Sequence, residues 1–309
     1  MFPSIQALLS QIIDYAGLFP PARLPLDQAI TNYVRYRQSD DAWMLARFII
    51  PARRLAELTP EHWPGPGPYP FSVLGRGGQD REDFLNGLAQ DIRDIAAFRS
   101  RMGDRAIVTM YEVRWPESLL ARGNVQDLAD LAVAVREALG TDIRLFFETP
   151  QGSAWDAWMP RAVEALARTD TGFKLRCGGV EPHMVPGIDQ VARAVLACCD
   201  AGVPFKATAG LHHPIRHVNE DMGVPMHGFF NLFIGGILAC EHRLSKTELE
   251  TILADEDPAS FTFTPDHLAW RQLRADVEAV RDLRSRALIS FGSCSFDEPR
   301  ADLRALGWL

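Results

Sequence analysis

Lysine is almost absent from this chain. Of 32 basic residues in 309, only Lys174, Lys206 and Lys246 are lysines, and the rest are arginines. Where a fixed positive charge suffices, arginine has been used, so a retained lysine marks a place where arginine cannot serve. Arginine does not give up its proton in a protein; lysine can, and can then act as a nucleophile. Lys246 lies in a polar helix start and needs no such role. An excess of positive charge is also missing. The net charge of -8 argues against a nucleic-acid binder, which would need a basic face. Long hydrophobic runs are lacking too. The longest, 229–240, is about 12 residues, broken by Asn231, Gly235 and Gly236, and a membrane-spanning helix needs about 20. The opening segment has no basic region and no small-residue cleavage site, so no secretory signal is expected. The five cysteines (177, 198, 199, 240 and 294) are odd in number and without CxxC spacing, which fits reduced thiols in a cytoplasmic protein. No HxH or HExxH spacing is present, and no cofactor or metal is expected in the leading reading. There is no internal repeat and no low-complexity segment.

What is present is an alternation of short apolar runs with amphipathic stretches, the pattern of a parallel sheet under helices. Strands are expected at 12–18, 46–51, 70–74, 106–113, 143–148, 172–177, 204–208 and 287–293. Several are apolar on both faces, as for strands between a packed barrel interior and an outer ring of helices. Helices are expected at 26–37, 80–101, 125–139, 154–167 and 187–201, the last capped by Gly202. The hydrophobic fraction of 47% is ample for one large core. A single α/β domain over 1–309, a (β/α)₈ TIM barrel, follows, with an open doubly wound sheet as the alternative. Between strands seven and eight runs a long helical insertion, 210–286. It holds an apolar helix at 226–240, a second starting at Ser245 with a Ser-x-x-Glu capping box to Glu248, and a third from 265 to 284. The apolar helix is either buried within the subunit or a contact between subunits; a homo-oligomer is expected.

In such a barrel the reacting groups sit at the C-terminal ends of the strands. The sixth strand reads Gly-Phe-Lys174-Leu-Arg176-Cys-Gly178-Gly179. Two-residue alternation puts Lys174 and Arg176 on one face, where they call for an anion or a lowered pKa; a structural ion pair with Glu148 is the other reading. The seventh reads Lys206-Ala-Thr208-Ala-Gly210-Leu-His212-His213. Neighbouring lysines are expected to depress each other's pKa and supply a neutral amine that attacks a carbonyl. Glu148 closes the apolar fifth strand as a general acid or base, or as a partner for Lys174. Tyr111-Glu112-Val-Arg114 on the fourth is a weaker candidate of the same kind. Asp14, before a Gly/Pro turn, is a substrate-binding candidate or a loop cap. His212 and His213 are candidates for proton transfer. Gly292, Ser293 and Ser295 after the eighth strand suit anion binding through backbone N–H groups, or form an ordinary turn, and Thr208 shares the face of Lys206. Cys177 and Cys294 default to buried structural thiols.

The Lys174/Lys206 arrangement resembles the class I aldolases of the deoxyribose-phosphate aldolase type, over 172–210 and the Gly292-Ser293 turn. The resemblance implies lysines on consecutive strands, one forming an imine and the other tuning it. By strand position Lys174 is similar to the imine former. By local motif Lys206-Ala-Thr-Ala-Gly is. Arg176, the His212-His213 pair and the insertion depart from that pattern. The leading expectation is thus a lyase that binds a small, anionic carbonyl substrate as an imine, with Arg176 and the 292–295 turn holding the anionic group. One alternative is a metal-dependent hydrolase or lyase using Glu148, His212 and His213. Another is a non-catalytic anion-binding barrel acting through the 226–240 surface.

Overall fold

The computed structural model describes residues 1–65 and 67–309. In chain order the strands are β1 (Ile13–Tyr15), β2 (Leu45–Pro51), β3 (Tyr69–Leu74), β4 (Ala106–Arg114), β5 (Arg144–Glu148), β6 (Gly172–Arg176), β7 (Phe205–Thr208), β8 (His217–Asn219), β9 (Val224–Met226), β10 (Phe261–Phe263), β11 (His267–Trp270), β12 (Leu273–Asp276) and β13 (Leu288–Ser293). The first seven and β13 close into a barrel in the order β1-β13-β7-β6-β5-β4-β3-β2, every pairing parallel. This is the (β/α)₈ barrel, with all eight expected strands in place. The alternative, an open doubly wound sheet, is excluded by the pairing of β1 with both β13 and β2.

The helices are α1 (Pro3–Leu9), α2 (Leu26–Arg37), α3 (Arg81–Met102), α4 (Glu117–Arg122), α5 (Val125–Leu139), α6 (Trp155–Leu166), α7 (Ile188–Ala201), α8 (Phe229–His242), α9 (Lys246–Ala254), α10 (Val277–Arg286) and α11 (Asp297–Ala305). Their causes are local. In α3 the Asp80 carboxylate accepts from the Asp83 N–H, and Phe84, Leu88, Ile95 and Phe98 form its buried stripe. In α7 the stripe is Val191, Ala192, Val195 and Cys198, and Gly202 ends it at φ 66°. The Ser245–Glu248 capping box opens α9 as its spacing predicts. Three short helices, α1, α4 and α11, carry too few apolar repeats to show in the sequence.

The stretch between β7 and β13 departs from expectation in three ways. First, it is not purely helical. Residues 261–276 form a three-stranded antiparallel sheet and 217–226 a hairpin, so the expected helix from 265 begins only at Val277. The apolar residues Phe261, Phe263, Leu268, Trp270 and Ala275 are buried on strands, and the Asp276 carboxylate caps α10. Second, α8 is no exposed surface. Phe229 and Phe233 lie against Phe291 of β13, while Gly235 faces Leu249 and Ile252 of α9. Residues 229–239 are all buried within the subunit, which removes the 226–240 surface through which the non-catalytic anion-binding barrel would act. Third, Cys199 of α7 and Cys240 of α8 form a disulfide, their Cα atoms 5.3 Å apart. Cysteine spacing cannot reveal a pair brought together by helix packing, and the expectation of five reduced thiols is corrected. Cys177, Cys198 and Cys294 are free and buried. Among the described residues no helix is long and apolar enough to cross a membrane.

Candidate active site

A cavity of about 1020 Å³ opens at the C-terminal end of the barrel. Its floor is set by register. Ser290, Lys206, Lys174 and Glu148 are successive Cα partners across β13, β7, β6 and β5, so their side chains meet in one layer inside the barrel. Glu112 of β4 and Asp14 of β1 complete that layer from the other side.

The two lysines have different surroundings. Lys174 lines the cavity, 6% exposed, with Nζ 2.8 Å from Glu112 Oε2 and 2.9 Å from Glu148 Oε2. Lys206 is 0% exposed and does not reach the cavity. Its ammonium is paired with Asp14, donates to Ser290 Oγ at 3.2 Å, and lies 3.5 Å from Glu112 Oε1. Ser290 in turn donates to Asp14 Oδ2 at 2.6 Å, and Ser72 donates to Glu112 Oε1. Arg47 of β2 donates to Asp14 Oδ1 through both its backbone N–H and its guanidinium, each at 3.1 Å. Glu112 therefore bridges the two lysines, a more central place than the sequence suggests.

The charges fix the protonation states. Burial pulls the Lys174 ammonium down, but Glu112 and Glu148 outweigh it and hold its pKa above the ordinary lysine value. The neutral amine expected from two neighbouring lysines is thus not the resting state, because carboxylates rather than lysines face Lys174. Burial pushes Glu148 up, yet Lys174, Arg176 and Arg114 bring it down to about 2. For Glu112, burial is overcome by Lys174 and Lys206, and for Asp14 by Lys206 and Arg47; both carboxyls lie below their ordinary range. Glu148 meets more positive charge than it can neutralise. Arg114 Nε and Arg176 Nε lie 3.2 and 3.5 Å from its Oε1, and both guanidiniums line the cavity, as does Arg76.

The remaining sequence candidates divide. Arg176, Thr208, Gly292, Ser295, His212 and His213 line the cavity. Asp14 and Ser293 do not. Asp14 is committed to Lys206, Arg47 and Ser290 beneath the floor, and the Ser293 hydroxyl donates to the Ser295 carbonyl at 2.7 Å. Neither is placed to touch a substrate as expected. At the rim, His212 Nδ1 is 2.7 Å from Glu298 Oε2, and His213 is bonded to Asp302. Glu148, His212 and His213 are not gathered into a ligand set. Among the described residues no group of three or more His, Cys, Asp or Glu could hold a metal ion. Gly178 and Gly210 explain how the loops after β6 and β7 fit together: a Cβ on Gly178 would lie 2.8 Å from the Gly210 Cα. The sequence reading missed Arg47, Ser72 and Glu298. Arg47 interrupts the otherwise apolar β2, and that single charge was the available signal.

No protein-family model matches the chain, and a search of curated proteins finds no match either. Among solved structures, the chain is similar to the tetrameric deoxyribose phosphate aldolase from Aeropyrum pernix. The TM-score is 0.50 at 12% identity, over 98% of this chain and 93% of that one. At that identity the likeness speaks to the fold alone, a (β/α)₈ barrel.

Proposed function

We propose that this chain is a class I aldolase-like lyase, one barrel domain over 1–309, in which Lys174 forms an imine with a small anionic carbonyl substrate. The observation that carries this reading is the asymmetry of the lysines: Lys174 alone of the pair reaches the cavity, between two carboxylates. Strand position favours Lys174 as the imine former over the motif argument for Lys206, which is sealed beneath the floor.

The resting ion pair must release its proton before the amine can attack. Substrate filling the cavity displaces water, and a buried carboxylate–ammonium pair deprived of water shifts toward acid and amine. Glu112 or Glu148 receives that proton. The Nζ lone pair then forms a C–N bond at the carbonyl carbon while the carbonyl π pair moves to oxygen; that oxygen takes one proton from Nζ and one from the protonated carboxyl and leaves as water, giving the iminium. In the carbon–carbon cleavage that follows, a carboxylate removes the hydroxyl proton of the imine-bound substrate. The breaking bond's electrons flow into the iminium to give an enamine. Arg114 and Arg176 supply the charge complement for an anionic group. We extend the proposal to association with copies of itself, which light scattering of the purified protein tests.

The deciding experiment is borohydride trapping with a panel of small aldehydes and 2-oxo acids, followed by peptide mapping. An adduct on Lys174, absent without borohydride and lost in Lys174→Met, is expected. An adduct on Lys206 alone, or none across the panel, overturns the assignment.

A further inference from the structure

The rim of the cavity carries a second constellation, independent of the lysines. Cys294 follows β13 directly, and its Sγ lies 3.7 Å from Nε2 of His212, on the loop after β7. The opposite ring nitrogen, Nδ1, is 2.7 Å from Oε2 of Glu298 in the first turn of α11. Glu298 is itself placed by its N–H, which donates to Ser295 Oγ at 3.1 Å. Thiol, imidazole and carboxylate all line the cavity. Because the thiol and the carboxylate contact opposite ring nitrogens, the three cannot converge on one cation. Nucleophile, base and orienting acid in a row is the order that nucleophilic catalysis requires.

We propose that Cys294, His212 and Glu298 form a nucleophilic thiol site that takes a small aldehyde as a hemithioacetal. In this step the thiolate sulfur forms a C–S bond at the carbonyl carbon. The carbonyl π pair moves to oxygen, and the Nε2 proton of the imidazolium passes to that oxygen. The products are a neutral hemithioacetal and neutral imidazole, with no redox partner required. Glu298 is a positioning residue that holds the ring and its charge. Burial pulls His212 down, but Cys294 and Glu298 hold it up to about 9, so the ring is cationic at neutral pH. The other titratable groups facing the site are Tyr15 of β1, His213 with its partner Asp302, and His217, whose ring is 4.2 Å from that of His213. Neither of the other free thiols has such a partner: burial pushes Cys177 up to about 12 and Cys198 well above the ordinary thiol value.

The test is alkylation of the full-length folded protein by iodoacetamide from pH 5 to 9, with peptide mapping. Cys294 is expected to react roughly tenfold or more faster at pH 7 than Cys177 and Cys198. His212→Asn should remove most of that advantage. Glu298→Gln, at a half-exposed position that leaves folding intact, should remove less of it. A wild-type Cys294 no faster than the other two thiols, or a rate unmoved by both substitutions, overturns the triad. Protection is then measured with glyceraldehyde in Lys174→Met, so that imine formation plays no part. Reversible protection of Cys294 supports the aldehyde assignment, and none at saturating concentration overturns it.

Discussion

Lys174 and Lys206 are paired residues in adjacent strands, yet one faces the cavity and the other a sealed chamber. Lys174 lies between two carboxylates, one of them shared with Lys206, and has an opening above. Lys206 is enclosed by Asp14, Ser290 and the far side of Glu112. A buried ion pair is weak evidence for stability in itself, but breaking one leaves a charge without compensation. The comparison therefore separates a lysine whose partners can change from one whose partners cannot.

The largest effect is expected at the sealed lysine. Lys206→Met leaves Asp14 with Arg47 and Ser290 alone, and should lower unfolding free energy by about 3–5 kcal/mol in urea titration. Lys174→Met should cost less, because Glu148 keeps Arg114 and Arg176. A stability loss in Lys174→Met as large as in Lys206→Met would break the comparison.

Next comes acid. Glu148 has its folded pKa lowered from 4.5 to about 2, so its contribution is present above the unfolded value and lost as pH falls from about 4.5 toward 2. This corresponds to about 3 kcal/mol. Glu148→Gln should remove that portion of the acid limb, read as chemical stability between pH 5 and 2.5; an unchanged limb would show that Glu148 is not held by its three cations. Lys174 behaves oppositely. Its raised folded pKa makes its contribution complete below the ordinary lysine value and lost only as pH rises through the folded one.

The smallest effect is expected from Arg114→Ala. That side chain is 61% exposed, and its pair with Glu148 should contribute under about 1 kcal/mol. Its consequence should show instead as weaker retention of anionic carbonyl compounds in the trapping assay, with neutral aldehydes unaffected.

The barrel was legible because its strands announce themselves. Runs such as Leu145-Phe146-Phe147-Glu148 and Phe173-Lys174-Leu175-Arg176 are short, largely apolar and closed by a polar residue. Stretches such as 261–276 were not, since Leu268, Ala269 and Trp270 read equally as one helical turn and as one strand until their burial partners are known. At the site, the scarcity of lysine pointed to Lys174 and Lys206 directly. The raised pKa of Lys174 was not legible, because it depends on Glu112, and the ion pairing of Lys206 was not legible, because it depends on Asp14, itself held by Arg47. Those residues lie on strands far apart in the chain and meet only across the interior. Glu298 was hidden for a similar reason: it belongs to a helix too short to be seen as amphipathic, and its role exists only through His212.

The chamber around Lys206 joins the first strand to the last two. Asp14 and Lys206 are separated by 192 positions, and Ser290 lies 276 from Asp14. Such contacts cannot form before the barrel shuts, and until then each charged group is better served by water. The chamber should thus assemble after the rate-limiting step of folding. Substitutions in it should hasten unfolding while leaving the refolding rate nearly untouched, which makes this small polar cluster a latch on the closed barrel rather than a seed for it.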